Sequence, residues 1–214
     1  MTVDSPFPGG TVDWSGENPG MYLKESQDGP FVGLVSFFRV VLSPHGRGQG
    51  VVLLEAPDAA SSTPDALNVC VTDNEPLGRY LVENFVSNFG AFRGTPGLSG
   101  MEFRALHSVS TGGVSTSVVS TGGALPTSYS EELKGEGVEI SLTWSGLGSP
   151  FMVDMAAEQG ATGKHRMFSL FVEADEAVAT INGRRLKGRA QSRDFAGRRS
   201  STAFLAFSET WVRV

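Results

Sequence analysis

The sequence predicts an all-β, mainly antiparallel fold: a single β-barrel or β-sandwich of about 8–10 strands, with one covering α-helix near residues 75–90. Three observations predict it. Apolar residues alternate at period two over several separate runs. Glycine-rich turns separate those runs. Only one stretch carries an apolar period of 3.6, and no strand–helix–strand rhythm recurs, which excludes a parallel nucleotide-binding sheet.

Residues 1–30 read as an extended N-terminal arm, because prolines and glycines from Pro6 to Pro30 punctuate it too often for a long element. The domain proper is read as 31–214. Phe31 to Leu42 is its first strand. Phe31, Val35, Phe37 and Val41 share one face, and Val32, Leu34, Phe38, Val40 and Leu42 the other, so both faces should be covered. Val51 to Glu55 and Leu67 to Thr72 are short strands joined by the polar connection from Pro57 to Pro64.

The helix follows. Asp73 or Asn74 can cap it, Pro76 fits its first turn, and Leu77, Tyr80, Leu81, Phe85 and Phe89 form its apolar stripe. Leu81 and Phe85 are expected to be buried against the sheet.

Met101 to Val109 alternates as a strand. The run Val109-Ser-Thr-Gly-Gly113 recurs as Val119-Ser-Thr-Gly-Gly123, which reads as a Ser/Thr-rich hairpin rather than a structural repeat. Val138, Ile140, Leu142 and Trp144 alternate with polar residues, the clearest half-buried strand of the chain. Phe151 to Met155 is the next strand. Met167 to Ile181 and Arg184 to Ala190 flank Asn182-Gly183, the residue pair that a tight hairpin turn with two positive φ angles prefers. Thr202 to Val214 closes the chain as a strand.

Charge and cysteine content bound the function. The net charge of −6 argues against nucleic acid as a partner. The longest apolar stretch contains Arg39 and is far too short to span a bilayer, so no membrane partner is expected. The single Cys70 permits no internal disulfide and fits a reducing compartment, and with no signal-peptide pattern the expected location is cytoplasmic. Seven cations between Arg184 and Arg199 face one acid, Asp194. Such a segment protects a sheet edge, or binds anions, or docks a second copy as a homodimer.

The motif searches are negative for a phosphate loop, a dinucleotide fingerprint and a nucleophile elbow. The three histidines, His45, His107 and His165, lack metal-ligand spacing, so no metal and no cofactor is expected. His45 and His165 read as solvated loop residues. His107 is in phase with Met101, Phe103, Ala105 and Val109, and Glu209 with Ala203, Leu205, Phe207 and Trp211. Both are therefore expected to point inward, as a catalytic imidazole–carboxylate pair or as separately satisfied core groups. Arg213 is the local cation available to Glu209. Phe103, Trp144, Phe207, Trp211 and Arg213 are the expected ligand-binding residues.

The layout resembles lipocalin-like barrels at the level of architecture, which implies a cavity for one small ligand. The expected function is binding of a small, mainly apolar molecule inside the barrel. The alternative is a cofactor-independent enzyme, an isomerase, cyclase, lyase or hydratase, that uses His107 and Glu209 in that cavity. A third reading is an interaction protein whose arm and basic segment are the contact surfaces.

Overall fold

The computed structural model describes residues 10–55, 66–112, 116–117 and 125–214. In chain order its strands are β1 (Thr11–Glu17), β2 (Gly20–Lys24), β3 (Phe31–Leu42), β4 (Gly48–Leu54) and β5 (Asn68–Thr72). Helix α1 (Glu75–Asn84) comes next, then β6 (Glu102–Thr111), β7 (Thr116–Ser117), β8 (Leu125–Pro126), β9 (Ser128–Gly135), β10 (Val138–Leu147) and β11 (Phe151–Met155). The chain finishes with β12 (His165–Ile181), β13 (Arg184–Arg185), β14 (Ser192–Phe195), β15 (Arg198–Ser201) and β16 (Ala203–Arg213).

The sheet closes on itself in the order β16-β2-β3-β4-β5-β6-β9-β10-β12 and back to β16, so the fold is a barrel. Strand β1 pairs with both β16 and β3, and β11 extends the sheet beyond β12. The expected arm is therefore, over Thr11–Lys24, two paired strands of the barrel wall. The glycines and prolines there end short strands rather than forbid them. Residues 1–9, the Pro57–Pro64 connection and most of the repeated Ser/Thr run lie outside the described residues.

All pairings of the barrel are antiparallel except β5 with β6. Parallel neighbours need a long crossover, and α1 with the irregular segment after it supplies one. Asn74 caps α1 by accepting from the Leu77 N–H at 3.1 Å, and its amide donates to the carbonyls of His45 and Arg47. The helix stops at Asn84 instead of running to residue 90. From there Asn84, Ser87 and Asn88 donate to the backbone carbonyls of Tyr80, Glu83 and Asn84, a local alternative to further helix. Leu81 and Phe85 are buried, as the stripe predicts.

Alternation along each strand divides the core in two. Inward residues such as Phe37, Leu53, Val71, Leu142, Trp144 and Leu205 fill the barrel. Outward residues, among them Leu34, Phe38, Val52, Cys70 and Phe204, pack beneath α1, the segment following it, and β11. The two apolar faces of β3 are thus both covered as far as Val40, while Val41 and Leu42 at its end are exposed. The Asn182-Gly183 turn has φ of 49° and 77°, as its residues demand. The basic segment is dispersed. Arg184 pairs with Glu55, Arg198 lies 3.6 Å from Glu173, and Arg193 turns into the outer layer. Among the described residues no helix is long and apolar enough to cross a membrane.

Candidate functional site

A pocket of about 620 Å³ lies on the outer face of the barrel. Its floor is the outward side of β2, β12 and β16, contributed by Tyr22, Met167, Phe171, Phe204 and Trp211. Its walls are the segment Asn88–Arg93, the loop Gln159–Ala161 and the β14–β15 hairpin with Arg193 and Phe195. Phe204 stacks on Phe171 at 4.7 Å between centroids and meets Tyr22 edge-on at 5.4 Å. Gly20 makes this possible, since a Cβ there would come within 2.5 Å of the Phe204 ring. From the barrel side the Gly20 carbonyl accepts the indole N–H of Trp144 at 3.0 Å.

Three polar groups of the lining stand apart from the apolar walls. Glu209 is 3% exposed, and its Oε1 accepts from Trp211 Nε1 at 2.7 Å and from Asn18 Nδ2 at 3.2 Å. Asn18 is itself fixed by the Ser36 hydroxyl, which donates to its Oδ1 at 2.8 Å. Oε2 receives no hydrogen bond from the described residues. Burial pushes the carboxyl up to about 7, against the lowering effect of the Trp211 and Asn18 bonds. Tyr22 is buried, and desolvation raises its phenol. Arg193 packs its guanidinium against Phe195 and Phe204 at 4.7 and 4.8 Å, with Nε donating to the Ser201 carbonyl at 2.9 Å.

The expected pairing of His107 with Glu209 is not formed. His107 is exposed and sits at a bulge where Leu106 and Ser108 of β6 oppose consecutive residues Gly135 and Lys134 of β9. Leu106 points into the barrel, while His107, in step with the outer-layer Met101 and Phe103, points to solvent; the extra residue then returns Val109 to the interior cluster. Glu209 is buried but on the other face from that expected. β16 bulges between Phe207 and Thr210, with Ser208 at φ 52°. Ala203 and Leu205 face the barrel interior and Phe207 packs against that cluster, whereas Trp211 belongs to the outer cluster and, with Glu209, lines the outer pocket.

Of the expected ligand-binding residues, only Trp211 lines this pocket. Trp144 is fully buried inside the barrel, and Phe207 packs edge-on against Tyr129 at that cluster. Phe103 lies on the outer layer under the Arg79 guanidinium, 4.0 Å from it. Arg213 does not partner Glu209. It donates through Nε and Nη2 to Asp13 Oδ2 at 3.0 and 2.6 Å. The same oxygen meets His165 Nε2 at 2.6 Å, while His165 Nδ1 is 2.8 Å from Thr162 Oγ1. His165 is therefore a buried residue opening β12, not a solvated loop residue. Desolvation acts upward on Asp13, but the bonds from His165 and Arg213 outweigh it and hold the carboxyl below its ordinary value. This cluster ties β1, β12 and β16 together, and Asp13 takes its place at another bulge, between Val12 and Trp14.

Sequence reasoning does not single out Asn18, and it reads Tyr22 only as a residue able to pin the supposed arm to a surface, not as part of a site. Arg193 is visible only as one member of the basic run. No protein-family model and no curated protein matches the chain. The reading of the site accordingly rests on its geometry.

Proposed function

We propose that this protein binds a small, mainly apolar molecule in the pocket on the outer face of the barrel. The observation that carries the reading is the pocket itself: about 620 Å³, floored by aromatic rings, with Tyr22, Glu209 and Arg193 among the polar groups that border it. Its volume falls within the ~300–1,000 Å³ of small-molecule sites, and such sites combine apolar walls with a few oriented polar atoms. The barrel interior is a poorer candidate, because Trp144, Phe37 and the aliphatic side chains around them occupy it. The test is titration with the neutral fluorophore N-phenyl-naphthylamine. Saturable binding is expected in the native chain, and Ala91→Trp, which fills the pocket from its wall, should abolish it. Binding that survives Ala91→Trp would place the ligand elsewhere.

A second reading, acid–base catalysis without a cofactor, is favoured by one observation. Glu209 combines burial, a carboxyl pushed up to about 7 by desolvation, and an Oε2 without a partner among the described residues. Such a group can give or take a proton on a bound ketone or alkene at neutral pH. This reading makes Glu209 the acid–base group and gives His107 no part in it.

A further inference from the structure

We propose that the ligand of this pocket carries a carboxylate, and that the carboxylate seats on the Arg193 guanidinium. The inference rests on the small-molecule reading above and narrows it to a monoanionic amphiphile: an acidic head with an apolar chain or ring as its body.

The first support is the state of Arg193. Its Nε is committed to the Ser201 carbonyl, and its plane packs on Phe195 and Phe204. No carboxylate pairs with it among the described residues, and its terminal nitrogens, Nη1 and Nη2, make no hydrogen bond there. Burial disfavours its charge, so the site holds a guanidinium that is partly stripped of water and lacks a counter-ion. A buried charge is normally paired. Aromatic rings stabilise the face of a guanidinium, not its edge. The unfilled N–H fork at that edge matches the two oxygens of a carboxylate.

The second support is the charge balance of the whole lining. Lys24 and Arg93 also border the pocket. Lys24 donates to the Gln27 carbonyl at 2.7 Å, and Arg93 to the carbonyls of Asn88 and Ala161, each at 3.0 Å. Neither forms an ion pair with a described carboxylate. The lining's one acid, Glu209, has its Oε1 occupied by Trp211 and Asn18. The lining therefore has cations in excess, and an anion from outside would balance them.

The third support is size and headgroup. An inorganic anion would leave the Phe171–Phe204 floor uncovered. A single fork suits a planar carboxylate, whereas a phosphate dianion needs further donors, and the other two cations are already turned to carbonyls.

The test compares lauric acid, dodecanol and dodecyl phosphate by calorimetry, on the native chain, Arg193→Gln, Arg193→Lys and the exposed control Arg185→Gln. The native chain is expected to bind laurate ~10–100-fold more tightly than dodecanol, the range for a hydrogen bond to a charged group. Arg193→Gln should remove that preference and leave dodecanol binding in place. Arg193→Lys, which keeps the charge without the fork, should retain part of it, and Arg185→Gln should change nothing. Should Arg193→Gln not fold, the ranking of the three ligands on the native chain and the Arg193→Lys result carry the test. Equal affinity for laurate and dodecanol, an unchanged preference in Arg193→Gln, or tighter binding of dodecyl phosphate would overturn the carboxylate inference while the pocket reading stands. If neither laurate nor dodecanol binds and the neutral fluorophore also fails, the pocket reading falls, and this inference with it.

Discussion

Glu209 shows how far a single residue can be read from sequence. A carboxylate amid Ala203, Leu205, Phe207 and Trp211 is conspicuous, and it is indeed buried. Its partner Trp211 lies in the same strand, but Asn18, held in turn by Ser36, is not legible, because it reaches Glu209 through pairing between segments distant in sequence. Its burial has a thermodynamic consequence. The carboxyl titrates near 4.5 when unfolded and at about 7 when folded, so the folded state holds the proton more tightly. Between those values the unfolded state ionises first, and stability falls as pH rises through the window, then levels off above it. The loss is on the order of 3 kcal/mol. Glu209→Gln keeps an oxygen for Trp211 and Asn18 and cannot ionise. It should melt higher than the native chain at about pH 8, with the two curves converging towards about pH 4.5. Denaturant melts across that range check this, and parallel curves would mean that Glu209 is ionised throughout. Asp13 acts in the opposite sense, since its carboxyl is held low and its stabilisation fades as pH falls through its folded value.

At the scale of elements, period-two alternation locates most of the strands, and the 3.6 period locates α1. Bulges are what it misses. Asp13, His107 and the Ser208–Glu209 step each lie where one strand carries an extra residue. Phase counted from one end of a strand is wrong beyond such a point, which is why Val109 and Trp211 do not share the faces on which β6 and β16 begin; His107 and Glu209 stay apart because those two strands are not neighbours in the ring. Strand β9 is also silent in the sequence, because its inward positions Tyr129, Glu131 and Leu133 include a charge. Arg39 of β3 meets Glu131 at 3.0 Å and Glu17 at 2.6 Å, so the burial of that charge depends on strands β3 and β1. Hairpin turns are more legible where residue and geometry agree, as at Asn182-Gly183. The β14–β15 turn breaks that agreement, since Ala196 sits at φ 49° ahead of Gly197. Alanine is disfavoured there and asparagine tolerated. Ala196→Asn should stabilise the chain by ~0.5–1 kcal/mol, measured as a shift in denaturant midpoint at constant slope. A neutral or destabilising result would show that the hairpin is not held in this turn.

At the scale of the molecule, the barrel wall has two occupied sides, and they are filled to different degrees. The interior cluster around Leu142 and Trp144 closes the ring, while the outer cluster is covered loosely enough to leave the pocket. Architecture alone suggests the reverse, a ligand inside the barrel, because an alternating strand does not reveal which of its faces will be filled. Stability and binding should therefore separate by face. Leu142→Ala removes side-chain volume from a fully buried interior site and should cost ~2–5 kcal/mol of unfolding free energy. Its affinity for N-phenyl-naphthylamine, measured where the variant is still folded, should match the native value. Phe171→Ala removes part of the outer floor, where the ring stacks on Phe204 and borders the pocket. It should lower affinity as well as stability. The contrast tests the placement of the site directly: if Leu142→Ala alters affinity as strongly as Phe171→Ala, the ligand occupies the interior and the outer pocket is not the binding site.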